Sequence, residues 1–452
     1  MSRVIKRIGD IMETYVQPVA IRLEKQPHIA AIRDGFILVL PFLIVGSFML
    51  ILLEPPFSKE TTNFLGRAWV DFAAAAADPM WRVFQMSFNA IALFVSASIA
   101  YNLAKRYERE PLPAAFLSVM TFLLICAPYE GSKMELSYMG GAGLFPAIFI
   151  AFYTVELARL LERLNICIRL PKEVPSSVSE SLNIVIPVLA VLLTLYPAAL
   201  WLESSFNSAV PALIMGWMAP LIQASDSLGA IILVVLATHL LWFAGINGSL
   251  VIMQLWTPFL ISNMTSNMLA MQAGEALPYV VTNSFWDFYV VHGATGGLLA
   301  LTFLLLRSRS IHMCSIGKIG VVPAFFSIGE PIVYGLPIVM NPILFVPLIL
   351  CPLANAVIAY LVVDFGIVGK MFLMAPWTTP APIGAFLATG GDVLAPVLSL
   401  GLIVLNVFIY YPFFKVFEKQ CLAREAEQAK KNDKSDTMET GSCIKGVESA
   451  LS

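Results

Sequence analysis

Glu330 is the only charged residue in a 45-residue apolar run, 319–363. A carboxyl group in such surroundings costs about 2.5 to 3.5 kcal/mol on insertion scales, so its default reading is a substrate, ion or proton site. Six prolines (323, 331, 337, 342, 347 and 352) and three glycines (320, 329 and 335) interrupt the run. A simple membrane span avoids such breakers, because hydrocarbon offers no water to the backbone groups a break sets free. The first half of the run therefore reads as bent or re-entrant backbone, and the second half, from about Pro342, as a true span. Broken backbone at that depth must line a cavity or be covered by protein. The competing reading places Glu330 at a water interface, capping a half-helix.

A second group of residues points to the same kind of site. No Lys or Arg occurs from 173 to 306, yet this stretch holds Trp242, Asn247, Trp256, Trp286, Asp287 and His292. Aromatic faces stack on the apolar faces of sugar rings, while amides and carboxylates exchange hydrogen bonds with hydroxyls, so the set suits a neutral polyol. A Trp in a membrane protein is also commonly an interfacial belt residue, which is the alternative for Trp256 and Trp286. Trp377 differs, because it lies in a second Pro-rich apolar segment, APWTTPAPIGAF at 375–386, that reads as another re-entrant loop. Asp287 and His292 flank a glycine-rich segment and are expected in a loop at the outer mouth.

The elements that must hold these residues are membrane helices. Of the 452 residues, 58% are hydrophobic and 13% charged, far from the soluble average of about 45–50% and about 25%. The expected fold is an all-α polytopic membrane protein with about ten transmembrane helices and two re-entrant hairpin segments. Spans are expected at about 35–54, 84–103, 112–128, 142–161 and 183–202. The segment 203–227 reads as an interfacial amphipathic connector and a domain boundary. From 228 to 262 the chain is apolar but interrupted by GINGS, which gives two short spans or one bent one with Asn247 at the break. Further spans follow at about 293–306, 342–363 and 393–414.

Ten spans put both termini on one side, and 23 of the 28 Lys and Arg residues then fall on that side. By the positive-inside rule that side is cytoplasmic. The tail from 415 mixes Lys and Glu and then turns Ser- and Asp-rich, which suggests a frayed, partly disordered helix. The net charge of −2 excludes a strongly basic nucleic-acid surface. Six cysteines, at 126, 167, 314, 351, 421 and 443, show neither a disulfide framework nor metal spacing. No cleavable signal is evident in the polar, amphipathic first 34 residues.

The segment GEPIVYGLPIVMNPILFVP at 329–347 resembles the signature of the enzyme IIC sugar permeases of the phosphoenolpyruvate-dependent phosphotransferase system, in the lactose, cellobiose and diacetylchitobiose family. The resemblance extends to HIAAIRDGFILVLPFLIVGSF at 28–48, LLWFAGINGS at 240–249, GATGG at 293–297 and APWTTP at 375–380, in the family's order. It implies a cytoplasmic N-terminus (1–34), an N-terminal membrane domain carrying a homodimer interface (35–202), the connector (203–227), a sugar transport domain (228–414) and a cytoplasmic tail (415–452). It also implies that Glu330 binds the hydroxyl to be phosphorylated and acts as the catalytic residue, with Asn247 at a substrate-binding position; Trp377, from its place in the second broken segment, is the further candidate for binding substrate.

The family carries His where this chain has Asn247. An amide exchanges hydrogen bonds but takes no proton near neutral pH, so a histidine base at this position is lost. His239, eight residues earlier, falls two helical turns away and is the candidate substitute, with a structural role as its alternative. The implied substrate is a β-linked disaccharide such as cellobiose, and the implied partners are membrane lipid, a second copy of the chain and a separate phosphorylated IIB subunit that carries the phosphoryl donor. No cofactor and no metal are expected. The implied location is the bacterial cytoplasmic (inner) membrane, multi-pass, with both termini cytoplasmic.

The residues by themselves also fit a proton- or sodium-coupled secondary sugar transporter, which uses broken helices and intramembrane carboxylates. A self-contained membrane enzyme is disfavoured, since the sequence shows no metal spacing, no phosphate-cradling glycine loop and no paired nucleophile and base.

Overall fold

The structure is a computed structural model that describes residues 18, 21–22, 25–53, 55, 62–130, 133–166, 168, 182–243, 246–336, 338 and 341–448. Most of the expected N-terminal segment 1–34, Ala244 and the first glycine of GINGS, Gly245, and Pro337, Val339 and Met340 of the GEP signature lie outside the described residues. Helices dominate, and the only β structure among the described residues is a two-residue antiparallel pairing, Tyr129–Glu130 with Lys133–Met134.

The first group of helices is α1 (Pro27–Leu53), α2 (Phe64–Ala75), α3 (Ala77–Ser87), α4 (Ile91–Arg106), α5 (Pro111–Cys126) and α6 (Leu144–Arg163). Helix α4 sits at its centre, packed on α1, α5 and α6. Then come α7 (Val185–Leu193), α8 (Leu195–Phe206), α9 (Val210–Ser225), α10 (Leu228–Phe243) and α11 (Gly248–Ala273). Two short helical turns, Asn283–Phe285 and Trp286–Val290, lead to α12 (Leu298–Leu306), α13 (Ile311–Phe325), α14 (Glu330–Gly335), α15 (Pro342–Asp364), α16 (Ala381–Ala388) and α17 (Leu394–Glu448).

Among the described residues, seven helices are long and apolar enough to cross a bilayer, or eight if α9 and α10, bent by 75° at their junction, form one broken span. About ten were expected. Part of the difference is α5, whose 16 residues fall short of the roughly 20 that a bilayer core asks for. The apolar stretch 228–262 divides as its GINGS break suggests, into α10 and α11 with Asn247 between them. Helix α17 continues to Glu448, through the Ala-, Glu-, Lys- and Gln-rich stretch that follows the last span, residue types that favour helix.

Among the described residues, buried apolar side chains form one large cluster drawn from α1, α3–α6, α8, α9 and the far half of α11, two further clusters drawn from α10 to α17, and a small one of Leu241, Ile246 and Val251 at the α10–α11 break. Residues 372–374 cross this division and pack into the first cluster. There the Met374 N–H donates to Ser47 Oγ on α1 at 3.2 Å.

Three latches place the irregular segments. Asn267 on α11 donates to the carbonyls of Tyr279 (2.7 Å) and Met371 (2.9 Å) and accepts from the Tyr279 N–H. Asn263, one helical turn earlier, donates to the Val281 carbonyl at 2.9 Å. Together they hold the segment before Trp286 and the segment before Trp377 against one helix. On α17, Glu418 accepts from Ser308 Oγ and the Arg309 N–H, both at 2.8 Å, while Glu425 accepts from Ser310 Oγ (2.7 Å) and the His312 N–H (3.0 Å). These two carboxylates grip the turn that launches α13 toward Glu330.

Candidate sugar site

Helix α11 starts where it does because Asn247 caps it: its Oδ1 accepts the Leu250 N–H at 3.1 Å. The next residue must be glycine. A Cβ on Gly248 would lie 1.9 Å from the Thr238 carbonyl oxygen, so α10 and α11 meet too closely for any side chain. With its oxygen engaged, Asn247 keeps its NH₂ donors for other partners.

The glycine-rich segment 293–297 faces this break. Gly293, Gly296 and Gly297 have φ near +70°, and Ala294 has φ of +76°, a left-handed setting that an alanine adopts only under constraint from its surroundings. The constraint is visible on the far side. A Cβ on Gly329 would lie 2.7 Å from the Ala294 Cβ, so this loop packs directly against the backbone that precedes Glu330.

Asn247, Glu330 and Trp377 line one cavity of about 260 Å³, together with Trp242, Asp287 and Thr295. The Glu330 carboxylate has no hydrogen bond or ion pair among the described residues, and its place at the first position of the six-residue α14 leaves it exposed to the cavity. The Asp287 carboxylate accepts from Asn283 Nδ2 at 2.9 Å. Trp242 is buried, and among the described residues its indole N–H has no partner. Among the described residues no Lys or Arg lines the cavity. Two carboxylates, donors from Asn247 and Trp242, and indole faces make a chamber suited to a neutral polyhydroxylated molecule and hostile to an anion.

His239 is not part of this lining. It is fully buried on α10, where Nδ1 sits 2.7 Å from the Val235 carbonyl and Nε2 accepts the Gly296 N–H at 3.2 Å. With both ring nitrogens occupied by backbone, it braces the glycine-rich loop and has no free atom for a sugar. His292 also departs from expectation. It is buried, not at an outer mouth, with Nε2 3.0 Å from the Phe288 carbonyl and Nδ1 3.2 Å from Asn355 Nδ2. Asp287, likewise expected in a mouth loop, faces the cavity from the helical turn 286–290.

Trp286 lines the chamber, and Trp256 stands behind it, edge-on at 5.5 Å between ring centres. The hydroxyls of Ser249 and Thr295, 3.5 Å apart, complete the wall. Both belong to segments whose glycines stand out in the sequence while the hydroxyls beside them do not. Among the described residues no three His, Cys, Asp or Glu side chains gather to hold a metal ion.

Residues 33–352 match the model of the phosphotransferase system EIIC family. The chain belongs to that family. The EIIC chain is 35% identical over 443 residues to the lichenan permease IIC component of Bacillus subtilis (strain 168), covering 93% of this chain and 96% of the relative. It is 36% identical over 440 residues to the cellobiose-specific EIIC component of Geobacillus stearothermophilus, covering 92% and 95%. The fold of this EIIC chain also matches the crystal structure of the transporter ChbC, the IIC component of the N,N'-diacetylchitobiose-specific phosphotransferase system. That match has a TM-score of 0.86 at 31% identity and covers 92% of this chain and 99% of the other. The protein is thus an integral membrane permease of the phosphotransferase class, in preference to the gradient-coupled alternative.

Proposed function

We propose that this EIIC permease carries a β-linked glucose disaccharide of the cellobiose type, and that the sugar hydroxyl to be phosphorylated docks on Glu330. The observation that carries the reading is the free Glu330 carboxylate, set across a chamber without cations from Asn247 and Trp377. The carboxylate accepts the hydrogen bond of the reacting hydroxyl and is the group able to take its proton, since Asn247 cannot. As in other EIIC components, the phosphoryl group comes from a phosphorylated IIB partner, which acts at the cytoplasmic face. The relatives' lichenan and cellobiose names support the glucoside assignment.

The same reading places the chain in the bacterial inner membrane with both termini cytoplasmic, in keeping with the Lys and Arg distribution. It divides the chain into a dimer-forming domain, 35–202, and a transport domain, 228–414, joined through 203–227. Two buried clusters drawn from α10 to α17 alone support a separate transport part, although α11 and residues 372–374 also pack into the first cluster, and the exposed Phe116, Leu189 and Leu193 supply apolar surface to the first part. Cross-links between copies that form only after Ser227 would contradict the dimer assignment.

The deciding experiment is uptake of radiolabelled cellobiose into vesicles containing the phosphotransferase proteins, with and without a protonophore, followed by chemical analysis of the internal sugar. Phosphorylated sugar that needs phosphoenolpyruvate and survives collapse of the gradient is expected. Glu330→Gln should lower phosphorylation by about 10²-fold or more. Unphosphorylated sugar that vanishes with the gradient would sink the proposal.

A further inference from the structure

In the functional reading above, the chamber receives a neutral sugar and must release an anion. A phosphomonoester carries about −1.5 to −2 charges at neutral pH. The chamber sets two carboxylates, Glu330 and Asp287, around it and, among the described residues, no cation. Like charge therefore drives the product outward, and an opposite charge on the wall of an adjoining space decides which way it goes. A second crevice, of about 420 Å³, shares Ser249, Asp287 and Trp377 with the chamber and runs between α1 and α11. Among the described residues that line either space, Arg33 is the one Lys or Arg.

Arg33 lies in the second turn of α1, whereas the crevice closes at its other end on Met374, which is bonded to Ser47. The 14 residues from Arg33 to Ser47 cover about 21 Å of helix, so Arg33 marks the end near the start of α1, the cytoplasmic end in that reading. Its charge is not consumed by its neighbour. Nε donates to Asp34 Oδ1 at 2.7 Å, while Oδ2 of the same carboxylate accepts from Arg106 Nη2. One negative charge between two guanidinium groups leaves this corner net positive. Among the described residues the Nη1 and Nη2 groups of Arg33 have no hydrogen-bond partner, and the side chain is 22% exposed. Asp34 thus fixes the guanidinium through one edge and leaves the Nη1–Nη2 edge for a ligand in the crevice, a fork that matches two phosphate oxygens. Setting the topology of α1 asks for a positive charge at this end, but not for one on the wall of a crevice.

We propose that Arg33 captures the phosphate of the newly phosphorylated sugar, and that the crevice between α1 and α11 is the product's way out to the cytoplasm. This rests on the functional reading above. Repulsion at Glu330 and Asp287 and attraction at Arg33 then act in the same direction, and they act on the product alone, since the unphosphorylated sugar carries no charge for either to sense.

The test is calorimetric titration of the purified full chain in detergent with cellobiose and with the cellobiose monophosphate formed in the uptake assay above. The unaltered protein should bind both, and only the monophosphate affinity should fall as salt is raised. Arg33→Gln should weaken monophosphate binding about ten- to hundred-fold, the loss of charge-assisted hydrogen bonds, and leave cellobiose affinity unchanged. Arg33→Lys keeps the charge without the fork and should recover part of the loss. Cellobiose titration of the same samples reports whether each variant is folded. Steady-state phosphorylation with phosphorylated IIB gives a second readout: inhibition by product should weaken in Arg33→Gln while the KM for cellobiose stays the same. Failure of the unaltered protein to bind the monophosphate, or an Arg33→Gln variant that binds it as well as the unaltered protein, overturns the inference and leaves the permease assignment standing. An equal loss for both ligands does the same, as does a defect confined to the KM for phosphorylated IIB, which would put the guanidinium on the donor. A chain that neither binds nor phosphorylates cellobiose overturns the functional reading and the inference together.

Discussion

His239 Nε2 accepts the backbone N–H of Gly296 at 3.2 Å, across 57 positions of sequence. The next peptide group is held by Tyr410, whose hydroxyl donates to the Gly296 carbonyl at 2.7 Å. The two side chains fix the peptides on either side of the Gly296 Cα, in the loop that supplies Thr295 to the sugar chamber. His239→Leu leaves the Gly296 N–H buried and unpaired and should cost about 1–3 kcal/mol of stability. Tyr410→Phe should cost about 1 kcal/mol, as the carbonyl loses a donor. Thermal unfolding in detergent measures both. Melting temperatures equal to that of the unaltered protein would show that the brace carries no energy.

Asn247 has two duties, and they separate by substitution. Asn247→Asp retains the oxygen that caps α11 and loses the NH₂ that faces the chamber. It should keep its thermal stability while cellobiose affinity falls roughly ten-fold. Asn247→Ala loses both, adding a stability loss of about 1 kcal/mol. Asn247→His restores the residue usual in the family but removes the cap, so a gain in sugar affinity should come with a lower melting temperature. Paired calorimetry and melting on the three variants give the answer.

Gly248→Ala places a methyl group 1.9 Å from a backbone oxygen of α10, where no rotamer change relieves the clash. Helices α10 and α11 must then separate, at a cost of about 1–3 kcal/mol or more. The expected outcome is poor recovery of folded protein in fluorescence-detected size exclusion. A Gly229→Ala control, whose Cβ meets nothing within 4 Å, should behave as the unaltered chain.

The carboxylates that grip the 308–312 turn act far from the sugar chamber and should still affect it. Glu418 is almost fully buried and serves two donors of the turn as well as Lys415 Nζ at 2.8 Å. Glu418→Ala strands those donors, at about 1–3 kcal/mol. The exchange protection of the amides in α13 and α14 should fall in hydrogen–deuterium exchange, with α4 as the unaffected reference. Equal protection in all three helices would show that α17 does not steady the Glu330 segment.

Much of the chamber is legible in the sequence. A single acid in an apolar run broken by proline, an asparagine in a glycine break and a tryptophan in a second broken segment are local signals, and Glu330, Asn247 and Trp377 converge on one cavity. What sequence cannot show is a partner at long range. His239 and His292 are equally isolated in the chain, and each turns out to be held by backbone or side chains that lie 57 to 107 positions away. Asn263 and Asn267 look like ordinary polar interruptions of α11, and their roles as latches depend on segments that follow later in the chain. Gln254 carries a local signal of its own, an amide between Met253 and Leu255 in the apolar first half of α11.

The bond between Ser47 and Met374 spans 327 positions, and it bears on how the protein is made. During synthesis α1 leaves the ribosome early, while the segment that completes its packing emerges only after α15. Until then the surface around Ser47 stands open, and the first bundle cannot reach its final form by local contacts alone. Assembly therefore waits on the last fifth of the chain, a high-contact-order step of the kind that is slow and exposed to misassembly. A ribosome stalled before residue 372 would present a nascent bundle with an unfinished seam, the form most exposed to membrane quality-control proteases.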